Sequence, residues 1–365
     1  MKTYLEFEKD VKFLEEELEK LKDPFSKEGI SEVNTRKISQ LQSEIDEKLK
    51  ITYGNLNEWQ KTQVARHEER PKAKFFINNL FEKFINLSGD RRFSEDEAVL
   101  VGFALFEGKS VLVIGQEKGE DLDSRLKRNF GMMRPEGYRK CIRLMKLADK
   151  FNIPVISFID TPGAYPGIGA EQRGQAESIA SSIECCMSLK VPIISIIIGE
   201  GGSGGAIALA SANKVLMLEN AIYSVISPEG CASILWRDPT KSLESAKAMK
   251  LTANELLKSN IIDEIIKEPN GGAHRNKQEI MSSTKKIILK YLEEFKKCSR
   301  EEIFEQRKEK FLNIGKSNNA GIFSTDTNWV PKNGFISLFK KTIYKFKKEI
   351  IIIFALIIMI FILVK

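Results

Sequence analysis

Histidine is almost absent from this sequence: His67 and His274 are the only two in 365 residues. The five cysteines, Cys141, Cys185, Cys186, Cys231 and Cys298, include no Cys-x-x-Cys pair. A zinc site built from this chain alone is therefore not expected, and any required metal would come from a partner. No basic and apolar leader opens the chain, so the thiols are expected to stay reduced in a cytoplasmic setting. Surplus charge is also scarce outside one segment. Of the formal +7, a surplus of six falls in residues 313–365, where eight lysines face only Asp326 and Glu349. The near-neutral remainder lacks the cationic track that a nucleic-acid groove needs, so no nucleic acid is expected as a partner.

What is present is patterned. Tyr4, Phe7, Val11, Leu14, Leu18 and Leu21 recur at spacings of three and four among Glu and Lys, which predicts an amphipathic helix ended by Asp23-Pro24. Ile38, Leu41, Ile45 and Leu49 predict a second, so residues 1–60 read as a helical hairpin lying on the body or on a partner. Residues 61–312 form the main unit. In it, alternation at Val99, Val101 and Phe103, then Glu107-Gly108-Lys109, then Val111 to Ile114, describes a β-hairpin. Strands over 153–160, 191–198 and 215–219 then alternate with helices over 171–189 and 204–212. Such alternation implies crossover units and a largely parallel sheet, an α/β fold.

Residues 240–312 read as mainly helical, with Pro269-Asn-Gly-Gly272 as a break, and 313–349 as a polar and basic linker. The apolar run Ile350 to Val364 follows. As a helix it would reach about 23 Å against a hydrocarbon core of about 30 Å, which is short for a span. It is read as a membrane-anchoring segment whose preceding lysines meet anionic headgroups on the cytoplasmic face. The alternative is a helix docked in an oligomer groove or lying in an interface.

The chemistry centres on two glycine turns. Residues Gly199-Glu-Gly-Gly-Ser-Gly-Gly-Ala206 follow a buried strand and precede good helix formers. The amides near Gly204 and Gly205 should then stand at a helix N-terminus, where free N–H groups favour an anion. Gly199-x-Gly201-x-x-Gly204 with Glu219 twenty residues beyond fits a dinucleotide fingerprint. Gly201-Gly-Ser203-Gly-Gly205 fits a nucleophile elbow, with His274 the only downstream histidine to serve as base. A third reading uses backbone donors only and explains a second turn, Asp160-Thr-Pro-Gly-Ala-Tyr-Pro-Gly167, which also ends a buried strand. Neighbouring parallel strands would deliver both turns to one sheet edge, where their amides could hold an oxyanion. Two tight turns that merely connect are the remaining reading.

The longer motifs carry a resemblance. Asp160 to Gly167, Glu171-Gln-Arg-Gly-Gln175, Gly199 to Ala206, and Tyr223 to Trp236 resemble the α subunit of the bacterial and plastid acetyl-CoA carboxylase carboxyltransferase. Arg128-Asn-Phe-Gly131, Arg134-Pro-Glu-Gly-Tyr-Arg139, Ala65-Arg-His67 with Arg70-Pro71, and Gly271-Gly-Ala-His-Arg275 extend the likeness over residues 1–312. The resemblance implies a crotonase-like fold and transfer of a carboxyl group from carboxybiotin to acetyl-CoA. It also implies an α2β2 assembly with a zinc-bearing β subunit, and work with a biotin carboxyl carrier protein and biotin carboxylase. Carried over by motif, the amides of Gly205 and Ala206, with Gly204 giving backbone clearance, form the biotin oxyanion hole. Gly163, Ala164 and Tyr165 form a second wall, Ser227, Pro228, Glu229 and Gly230 shape the pocket, and Arg173 orients an acidic partner or coenzyme A phosphates. Ser88 and Gln116 depart from the family's usual histidines, and Ala210-Ser211-Ala212 replaces a more glycine-rich segment.

Overall fold

The computed structural model describes residues 3–22 and 35–316. Its sheet has eight strands: β1 Glu82–Asn86, β2 Val99–Phe106, β3 Lys109–Gln116, β4 Val155–Thr161, β5 Ile193–Gly202, β6 Lys214–Leu218, β7 Ile222–Ser224 and β8 Glu264–Ile266. The order is β1-β2-β3-β4-β5-β6-β8, with β7 paired to β5. The expected β-hairpin is β2 and β3, in unbroken register from Val99 opposite Gln116 to Phe106 opposite Lys109. Glu107 and Gly108 both take positive φ, 48° and 71°, as a two-residue turn matched to the strand twist requires. From β3 onward every pairing in that order is parallel.

β4 and β5 lie mid-sheet with every residue buried, which is why both read as continuous apolar runs rather than alternating ones. The helices Pro135–Lys150 and Gln175–Ser188 follow β3 and β4. The single helix expected over 171–189 is broken at Gly174, whose φ of 82° no α-helix accommodates. The strand expected over 191–198 instead continues to Gly202, because Glu200, Gly201 and Gly202 pair with Ile222, Tyr223 and Ser224 of β7.

The two N-terminal helices, Lys9–Lys22 and Thr35–Gly54, bury Val11, Leu18, Leu41, Ile45 and Leu49 against each other. Arg275 joins them to the body, donating to Glu8 at 3.0 Å and Glu15 at 2.8 Å. No helix among the described residues is long and apolar enough to cross a membrane. The candidate anchor, 350–364, lies outside the described residues, as does the linker from 317 onward.

Candidate oxyanion site

The two glycine turns meet. After β4 the chain turns through Pro162, Gly163 and Ala164, with Thr161 Oγ1 donating to Gly163 O at 2.7 Å and accepting from Gly163 N at 3.2 Å. After β5 it turns at Ser203, which takes a left-handed φ of 48°, into the helix Ser203–Ala210. A Cβ on Gly205 would stand 2.6 Å from both C and O of Gly163 and 3.0 Å from Ala164 N; one on Gly202 would stand 2.1 Å from Pro162 O. Glycine is thus required at both positions so that the backbones can touch. Gly204 differs: its Cβ would meet only the Ile179 side chain, at 3.5 Å, which is ordinary contact. The protein's own packing therefore does not demand glycine at 204.

Among the described residues no side chain caps the Ser203–Ala210 helix. Its first-turn amides, those of Gly204 and Gly205 among them, have no intrahelical acceptor. The helix is held onto the sheet by Ser157 and Ser195, whose hydroxyls meet Leu209 O at 3.3 and 2.7 Å.

Behind the turns is a charged cluster that the motifs did not announce. Lys118, just past β3, pairs with Asp160 at 2.7 Å and Glu200 at 3.2 Å, residues near the ends of the strands that lead into the two turns. Asp160 Oδ1 also accepts from Glu200 N at 3.0 Å. Arg66 pairs with Glu200 at 2.8 Å and with Glu229 at 2.6 Å, which ties in the Pro228–Leu235 helix that Ser227 caps through Gly230 N at 3.1 Å. Burial pushes the Glu200 carboxyl up, but Lys118 and Arg66 outweigh it and hold the group below the usual glutamate range. Beside Pro162 opens a cavity of 470 Å³, lined by Arg66, Lys72, Lys118, Arg125 and Glu200 with Phe130 and Met132. Lys72 there donates to Glu68 O and Arg70 O at 2.9 and 3.0 Å, and burial pushes its pKa down to about 8.

The remaining expected residues are held by partners of their own. Tyr165 N donates to Met133 O at 3.1 Å, and the Arg134 guanidinium sits 4.7 Å over the Tyr165 ring. Arg173 is engaged with buried Glu136 and lies 4.4 Å over the Phe93 ring, so reaching a ligand would require it to share or leave those contacts. Asp160 and Glu200 stand inside quoted motifs and could have been singled out. Lys118 carries no local signal, since its partners come from distant strands.

The geometry bears on the competing readings. Among the described residues no hydrogen bond joins Ser203 to a histidine. His67 and His274 instead stack on each other with centroids 3.9 Å apart, His67 Nε2 lies 3.1 Å from Thr3 O, and burial pushes His274 down to about 2. Gly199 and Gly201 are strand residues of β5, not the tight turn that a dinucleotide fingerprint needs, and Glu219 is paired with Lys267 at 2.6 Å. No cluster of metal-ligating side chains occurs among the described residues.

Comparison with known proteins agrees with this architecture. The family described as acetyl co-enzyme A carboxylase carboxyltransferase-like matches residues 4–315. The acetyl-coenzyme A carboxylase carboxyl transferase subunit alpha of Pelagibacter ubique is 64% identical over 360 residues, 98% of each chain. The subunit of the same name from Zymomonas mobilis is 55% identical over 315 residues, 86% of this chain and 100% of its own. The region after Asn313 is therefore within the span of the Pelagibacter match. Among solved structures, the transcarboxylase 12S hexamer with methylmalonyl-coenzyme A bound superposes with a TM-score of 0.52 at 18% identity, over 64% of this chain and 42% of that one. The shared architecture is the crotonase-like fold. With a family match over most of its length and close relatives at more than half identity, the chain belongs to the acetyl-CoA carboxylase carboxyltransferase α-subunit family.

Proposed function

We infer that this chain is the α component of a heteromeric carboxyltransferase that makes malonyl-CoA from acetyl-CoA for fatty-acid synthesis, and that its own part is to hold the biotin side of the reaction. The contact between the two glycine turns supports this reading most directly. It packs the Gly205 backbone against that of Gly163 so closely that a Cβ would clash, and offers amides rather than side chains to a negative oxygen. When bound, carboxybiotin supplies the carboxyl group and a ureido nitrogen basic enough to take the acetyl-CoA α proton. The amides of Gly205 and Ala206 would hold the ureido oxyanion, each well-placed donor contributing on the order of 3 kcal/mol to the barrier. Gly163 and Ala164 would close the opposite wall, and the Ser227 to Gly230 turn would shape the pocket. Arg173 would face a carboxylate or phosphate after yielding part of its hold on Glu136. No side-chain nucleophile is required.

The name of the relatives implies a β partner. We assign to that partner the zinc and most of the acyl-CoA pocket, in an α2β2 assembly served by a biotin carboxyl carrier protein and biotin carboxylase. In carboxyl transfer between malonyl-CoA and biocytin, the isolated chain should be inactive and gain activity on adding a zinc-bearing β subunit. Full activity alone, or no gain with β, would overturn the reading, and the same assay run with methylmalonyl-CoA against malonyl-CoA tests the acyl specificity. In that assay Ser203→Ala should retain activity within about twofold and a fluorophosphonate should not label the chain, since among the described residues no hydrogen bond ties the serine to a base. A larger loss would give Ser203 a chemical role.

The apolar run 350–364 and its lysines we assign to a tether at the cytoplasmic face of a membrane. The full chain should stay with sedimented membranes through a high-salt wash, whereas truncation after residue 345 should release it. Release by salt alone would mean that only the lysines bind.

A further inference from the structure

We propose that Gln116 is a positioning residue for carboxyl transfer, setting the peptide whose N–H is the Ala206 oxyanion donor. This assignment takes the Gly205 and Ala206 amides as the hole, as above. Gln116 ends β3 and is fully buried. Its Nε2 lies 2.7 Å from Gly205 O and 3.4 Å from Met133 Sδ. Facing a carbonyl oxygen, only the NH2 end of the amide can occupy that place, which fixes its orientation. The side-chain oxygen, Oε1, is buried and has no partner among the described residues.

Gly205 C=O and Ala206 N–H belong to one planar peptide unit. A donor fixed on the oxygen therefore fixes the direction of the N–H on the other side of the bond. It also draws electron density toward the oxygen and makes that N–H a stronger donor. The Gly205 peptide cannot relax toward Gly163, because the two backbones are already in contact. Gln116 thus holds the carbonyl end of a peptide whose Gly205 Cα is packed against the Gly163 turn.

The orphaned Oε1 separates positioning from stabilisation. A glutamine serving the core alone would be expected to satisfy both ends of its amide. Here one end serves the turn and the other is left unsatisfied, an arrangement that lowers stability. Removing the side chain's polarity should therefore move activity and stability in different directions.

The test uses the full chain assembled with its β partner. Gln116→Leu should lower kcat about tenfold, the scale of weakening but not deleting one oxyanion donor, with KM for acetyl-CoA unchanged and Tm unchanged or raised. Gln116→His keeps a ring N–H and should restore most of kcat. The proposal fails if Gln116→Leu stays within twofold of the parent, or if kcat and Tm fall together without rescue by His. Gly205→Ala, run in parallel, separates the two levels. Transfer surviving Gly205→Ala sinks the oxyanion hole itself, whereas loss in Gly205→Ala with an intact Gln116→Leu sinks only the role of Gln116.

Discussion

Gly205→Ala is expected to cut carboxyl transfer by at least about 10²-fold, with Gly204→Ala in the same assay close to the parent. The two glycines are adjacent in a chain rich in glycine, yet their surroundings differ sharply. A methyl on Gly204 would meet the end of Ile179 at 3.5 Å, whereas one on Gly205 would enter the backbone of Gly163 at 2.6 Å. Backbone cannot rotate aside as a side chain can, so the turns must part. Overpacking of this kind costs about 1–3 kcal/mol of stability. The amides of Gly205 and Ala206 are also moved from the position in which they were organised, and loss of one such donor costs 10²–10³ in rate. Assembly with β, read by co-elution, should persist, because Gly205 is buried and its substitution changes no outer surface. Transfer within twofold of the parent would mean that these amides do not meet the reacting group.

Much of this site was legible because the relevant signals are local. β4 and β5 announce themselves as apolar runs, and each glycine turn is punctuated by residues that tolerate unusual backbone. The limits of β5 were not local: Gly199 to Gly202 looked like a turn, and only pairing with β7 makes them strand. β1 was missed for a similar reason, since Glu82–Asn86 is a short edge strand with four of its five residues exposed and no apolar pattern. The Arg173 to Glu136 pair joins residues 37 apart, and Lys118 reaches Glu200 across 82. A lone lysine among many carries no mark of its eventual partners. Gln116 was visible as a departure from a family habit, but its direction toward Gly205 O depends on how β3 packs beneath the helix.

Lys118→Met should destabilise the protein by about 3 kcal/mol at neutral pH and lower transfer as well. The side chains of Lys118, Asp160 and Glu200 are 15%, 5% and 9% exposed, so the lysine is not a solvated surface cation whose removal costs little. Breaking a buried pair by removing one partner costs 3–5 kcal/mol because the other charge remains buried. Glu200 would keep Arg66, which places the estimate at the low end. The pH dependence follows from the sign of the shift. Burial raises the Glu200 carboxyl, and Lys118 with Arg66 more than reverses this. A carboxyl held below its unfolded value gives stability that is present above the ordinary glutamate range and lost as pH falls through the folded value. Without Lys118 that contribution shrinks or reverses, and protonating Glu200 then relieves the variant. The stability gap between parent and variant, measured by urea unfolding, should therefore be widest near pH 7 and narrow below about pH 5. Activity should fall because Asp160 and Glu200 stand at the ends of the strands that lead into the two turns, and the lysine binds one to the other. Lys118→Arg, which keeps the charge, should recover part of both. Equal stability of parent and Lys118→Met at pH 7 would show that the turns keep their register without this cation, leaving the β4–β5 ladder and the Gly205 to Gly163 contact to hold it.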